Sequence, residues 1–167
     1  MLRFSKVLAL LPYTLLLGCV NNPSYEATDD LLGVWHRQDL GSGPYEYAHT
    51  AYLADGRKCV AMFTFAEQFT QVHGFLNQWS RDGLMITTTY GVNTFGRPIG
   101  HQVTDEIRSL SVDQLDLRPT EPSDQFLSKS RRLPDVQPER ICELALHVIN
   151  IYNAMEELAE DPSTSLD

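Results

Sequence analysis

Tyr52-Leu53-Ala54-Asp55-Gly56-Arg57-Lys58-Cys59-Val60-Ala61-Met62-Phe63-Thr64-Phe65 reads as the end of one strand, a tight turn and a second strand. The glycine after an aspartate supplies the positive φ that a short hairpin turn demands. Beyond the turn, Cys59, Ala61, Phe63 and Phe65 share one face, while Lys58 and Thr64 fall on the other with Val60 and Met62 between them. A period of two marks a strand, and a second face that is only partly polar implies that something covers it.

Outward from this hairpin, short β-rich runs recur at about 32–40, 45–54, 57–66, 74–81, 84–92, 99–110, 114–118 and 125–133, separated by turn residues. Asp82-Gly83 marks a second hairpin, and residues 91–100 form a longer loop of the kind that often carries recognition. From Pro138 to about Ala159 the pattern changes: Ile141, Leu144, Ala145, Val148, Tyr152, Met155 and Leu158 recur at helical spacing. Pro138 suits a first helical turn and Asp161-Pro162 stops the helix. Glu156, Glu157, Glu160 and Asp161 crowd the negative end of the helix dipole, so the last turn should fray. Sequential strands followed by one amphipathic helix predict a mainly β domain, an antiparallel barrel or sandwich with the helix packed outside.

Gly33-Val34-Trp35 on the first strand, the Asp55-Gly56 hairpin and the strand-turn-strand pattern from Ile107 to Leu117 together resemble the bacterial lipocalin-like proteins of the calycin group. The resemblance covers about residues 31–133 and implies an eight-stranded antiparallel up-and-down barrel that binds rather than reacts. It also implies that Gly33 and Trp35 plug one end of the barrel, with Arg131 or Arg132 lying across the indole. A guanidinium over an indole gains about 0.5 to 2 kcal/mol while its donors satisfy nearby carbonyl groups. An eight-stranded interior is just wide enough for side chains or one small ligand. With Trp35 inward, Arg37 points inward too; Phe63, Phe65, Trp79 and Tyr90 are the further candidates for lining the cavity.

The N-terminus carries an address. Arg3 and Lys6, the apolar run Val7 to Leu17, and then Leu16-Leu17-Gly18-Cys19 look like a bacterial lipoprotein signal with its lipobox. The run falls short of the roughly 20 apolar residues that span a bilayer. The expected organisation is a signal peptide over 1–18, lipid (palmitate-type acyl chains) on Cys19, a flexible tether over 19–30, a barrel over 31–133, a helix over 134–160 and a disordered tail over 161–167. Val20 after the lipidated cysteine fits retention at the outer membrane, with the domain in the periplasm.

The full chain carries 22 Asp plus Glu against 13 Lys plus Arg, a net charge of -9, and losing the signal removes cations only. Such a charge repels phosphate backbones, so no nucleic acid partner is expected, and the membrane is reached through acyl chains rather than a basic patch. In an oxidising compartment Cys59 and Cys142 either pair as a disulfide or stay as two buried thiols.

No catalytic signature is present: no Gly-x-Ser-x-Gly, no phosphate-cradling glycine loop and no dinucleotide fingerprint. His36, His49, His73, His101 and His147 are scattered without metal-ligand spacing. The expectation is therefore no enzyme, no cofactor and no metal. What remains is a lipid-anchored lipocalin-like barrel for a small apolar or amphipathic ligand. The alternative is a protein-interaction barrel with an envelope partner, an assembly factor or hydrolase inhibitor.

Overall fold

The computed structural model describes residues 30–39, 46–66, 69–120 and 127–160. Its strands are β1 (Gly33–Asp39), β2 (Glu46–Tyr52), β3 (Arg57–Ala66), β4 (Phe69–Asp82), β5 (Met85–Thr89), β6 (Gln102–Leu110), β7 (Gln114–Pro119) and β8 (Ser128–Arg132), followed by the helix α1 (Pro138–Glu160). The signal sequence, Cys19, the tether up to residue 29 and the tail over 161–167 lie outside the described residues.

Each strand pairs antiparallel with its neighbour in sequence, and β8 returns to β1 through Trp35↔Arg132, His36↔Arg131 and Arg37↔Ser130. That last ladder decides between the two architectures left open by the sequence: the sheet is a closed up-and-down barrel, the lipocalin-type arrangement, and not a sandwich. Gly56 (φ 83°) and Gly83 (φ 58°) turn the two expected hairpins in a region of backbone space that L side chains avoid. In the first of them Asp55 accepts the Arg57 backbone N–H at 3.1 Å and its Nε–H at 2.7 Å. These bonds, the backbone one foremost, hold the Asp55 carboxyl below the ordinary carboxylate range.

Strand β4 begins at Phe69, well before the expected start at 74. Gly74, where the sequence reading begins this strand, lies inside β4, and the helix crosses there: a Cβ on Gly74 would sit 2.3 Å from the Ala145 carbonyl oxygen. Strand β6 starts at Gln102 rather than 99, because Ile99 and Gly100 (φ 83°) are spent on a turn.

Helix α1 packs outside the barrel over β3 and β4, with smaller contacts to β2 and β1. Cys59 and Cys142 are joined as a disulfide, which fastens the first half of the helix to β3. Val34, Ala51, Leu53, Cys59 and Ala61 pack there against Ile141 and Cys142, with Phe63, Leu76 and Leu144 at the margin. The Cys59 face of β3 is thus the outer one, and Lys58, Val60, Met62 and Thr64 belong to the barrel interior. The rest of the helix runs past its support, leaving Ile151, Tyr152, Met155 and Leu158 between 43% and 67% exposed.

The disulfide spans 83 residues of sequence, so in the chain-entropy model it contributes about 4 to 5 kcal/mol. Urea unfolding of Cys59→Ala/Cys142→Ala should show a loss of that order at most, with the barrel still folding. A double variant as stable as the parent would contradict this role. Gly74→Val should cost about 1 to 3 kcal/mol by forcing helix and sheet apart, and an unchanged urea midpoint would argue against the close crossing.

Candidate functional site

The barrel interior begins at a plug. Trp35 is 1% exposed, and its indole Nε1–H donates to the Leu31 carbonyl at 2.8 Å. The Arg132 guanidinium lies over the indole, 4.2 Å from the ring centroid, and donates to the carbonyl groups of Leu32, Asp30 and, at 2.6 Å, Val112. One side chain from the last strand thus ties down the chain entering the first strand and the β6–β7 turn. Gly33, at φ 122°, passes so close that a Cβ would stand 2.9 Å from Arg132 Nη1. Arg81 completes the clamp from β4, its Nη1 donating to Asp30 at 3.1 Å. Arg131 is exposed and points away from the plug, since neighbouring residues of a strand take opposite faces.

Above the plug lies an apolar floor of Tyr52, Trp79, Ile86, Ile107, Leu115 and Leu117 packed on Trp35 and Leu31. Tyr52 and Trp79 meet edge to face at 5.3 Å, and the Trp79 indole donates to the Leu53 carbonyl at 3.1 Å. Higher up the interior changes character. Register and alternation place Arg37, Thr50, Lys58, Met62, His73, Phe75, Asn77, Thr88 and Asp105 on the inner face. Lys58 Nζ reaches across to donate to Thr88 Oγ1 at 2.8 Å and stands 5.1 Å from the Tyr52 ring centroid. Asn77, 4% exposed, accepts the Gly91 backbone N–H at 3.1 Å.

The loop after β5 closes over part of this wall. Asn93 organises it, accepting the Phe95 and Arg97 backbone N–H groups and donating to the Gly91 and Arg97 carbonyls. Phe95 is thereby set against His73 (5.1 Å) and Phe75 (5.9 Å), though it remains 47% exposed.

The residues expected to line a cavity do not form one set. Arg37 is on the inner face. Trp79 fills the floor, and Tyr90, half-buried, stacks on His101 at 6.0 Å beside the β5–β6 connection. Phe63 and Phe65 are on the outside: with His36, Tyr47 and His49 they form a half-buried aromatic patch on β1 to β3, and Phe63 joins it to the cluster under the helix. Alternation identified their shared face correctly, but only the disulfide and the helix determine that this face points out. Lys58 and Asn77 were missed, because a lysine or asparagine on a half-polar strand face reads as solvated.

A concavity of about 360 Å³ lies outside the barrel, between α1 and the β3–β4 surface. Its floor is the disulfide with Leu76 and Leu146, and Gln78, Glu139 and Glu143 stand at its rim. Among the described residues no cluster of three or more His, Cys, Asp or Glu side chains could hold a metal, and no helix is long and apolar enough to cross a membrane.

Comparison with known proteins gives little beyond this geometry. No family model matches the chain, and no curated protein does. Among solved structures, a lipocalin-like protein from Bacteroides uniformis ATCC 8492 is similar, at 20% identity over 62% of this chain and 99% of that one, with a TM-score of 0.34. The fold assignment rests on the strand register itself.

Burial, and then the like charge of His36, push His49 below its ordinary imidazole value. The unfolded chain therefore takes up this proton at a higher pH than the native one. The contribution is complete above the ordinary imidazole value and is lost as pH falls through it toward the native value. The drop in urea midpoint between about pH 7.5 and 5.5 should be smaller in His49→Gln than in the parent; equal drops would contradict it. Arg132→Met, which removes the cation and its three carbonyl bonds, should cost about 3 kcal/mol or more, against less than about 0.5 for Arg131→Met. Equal urea midpoints for the two variants would refute the plug.

Proposed function

We propose that this chain is a lipid-anchored, non-catalytic barrel that carries one small amphipathic molecule above its plug. The observation that carries the reading is the division of the interior into a sealed apolar floor and an upper wall bearing Arg37, Lys58, Thr88 and Asn77 beside Met62 and Phe75. A wall of mixed polarity suits a ligand with an apolar body and a polar end, since binding sites combine apolar lining with a few oriented polar groups. The N-terminal sequence supports anchoring at Cys19, with the domain in the periplasm at the outer membrane.

Native mass spectrometry of protein isolated from its own envelope is the direct test. A small-molecule mass that leaves on denaturation supports carriage, whereas a ligand-free chain at full occupancy of the native fold argues against it. For the anchor, Cys19→Ala should move the protein from the membrane to the soluble envelope fraction, and an unchanged distribution would contradict lipidation.

A second reading, docking of an envelope protein, is favoured by one specific feature. Ile151, Tyr152 and Met155 continue the apolar side of α1 beyond the barrel and stay exposed there. A stoichiometric partner lost on Ile151→Glu/Met155→Glu would support this reading in place of ligand carriage.

A further inference from the structure

Lys58 is anomalous for its place in the fold. It stands on the inner face of β3, one register step from the plugged end, where its neighbours across the ladders are Tyr52 and Asn77. Lys58 is half-buried, and an ammonium drawn partly out of water is best met by an opposite charge or a full set of acceptors. Here it meets neither. Its one hydrogen bond goes to the hydroxyl of Thr88, itself 1% exposed, and its remaining contact is the face of Tyr52. Among the described residues no carboxylate lies within ion-pair distance of it. An ammonium has three donors, so two are left over. Asn77, directly opposite in register, has its carbonyl oxygen committed to Gly91, which leaves its amide N–H groups as further donors on the same wall.

We propose that Lys58, with the Asn77 amide beside it, receives the anionic end of the barrel's ligand, a carboxylate or a group of like charge and size. The inference rests on the interior-binding reading above and adds both the ligand's class and its direction. The floor beneath Lys58 is already filled by Trp35, Tyr52 and Trp79, so the anionic end enters first and the apolar chain lies upward along Val60, Met62 and Phe75. A charge-assisted bond to a partly buried ammonium is stronger than a neutral one, and so the site selects acids over alcohols of the same length.

The test compares octanoate with 1-octanol by titration calorimetry against the full chain in nanodiscs, with empty discs subtracted, and repeats both with Lys58→Met. In the parent, octanoate should bind at least about tenfold more tightly than octanol. In Lys58→Met that preference should fall to within about twofold, with octanol binding unchanged. Because the variant removes a charge without a counter-charge, its urea midpoint should stay at or above that of the parent. A parent that binds both compounds equally, or an acid preference that survives in Lys58→Met, overturns the assignment of Lys58 while leaving interior binding intact. A parent that binds neither compound overturns the interior-binding reading, and the assignment with it.

Discussion

A guanidinium held between an indole and the carbonyl groups of distant chain segments is what makes this sheet a barrel. Arg132 lies at the end of the last strand and Trp35 near the start of the first, and the two face each other across the ladder that closes the ring. The stack contributes through cation–π attraction, but the larger effect is topological. The same side chain satisfies the Asp30 and Leu32 carbonyls before β1 and the Val112 carbonyl in the β6–β7 turn, and so joins three segments that are distant in sequence. Gly33 is fixed by this arrangement twice over, by its φ and by the approach of Arg132.

Once the ring is closed, every strand has an inner and an outer face, and the disulfide with α1 decides what each face can hold. The helix takes the apolar side of β3, so the barrel interior receives the mixed side with Lys58, Val60, Met62 and Thr64. An interior with an apolar floor and a wall of mixed polarity is the result. The polar wall is thus a consequence of where the helix docks, and Gly74, pressed under Ala145, is the residue that lets it dock so closely.

The sequence made the turns and the helix legible because their signals are local. Gly56 and Gly83 occupy conformations that demand glycine, and the stripe from Ile141 onward has a period that only a helix buries. What the sequence withheld depends on contacts between distant segments. Period two separates Cys59 and Phe63 from Lys58 and Met62, but it does not say which set is inside. The start of β4 at Phe69, before Gly74, has no local signal, and the need for a glycine at 74 shows only once the helix is placed above it. Cys59 and Cys142 are compatible with a bridge or with free thiols until their separation is known. Lys58 and Asn77 look like surface residues of a strand, and only the register shows them standing across from each other on the inner wall.

The barrel therefore depends on closure at the first and last strands, with the plug as the most persistent part of the molecule. Native-state hydrogen exchange read by NMR addresses this directly. The Trp35 indole N–H, and the backbone N–H groups that β1 and β8 exchange in their shared ladder, should be among the slowest in the protein, opening only with global unfolding. Exchange at those groups at the rate of frayed sheet edges, while the other ladders remain protected, would show an open sheet and contradict the account.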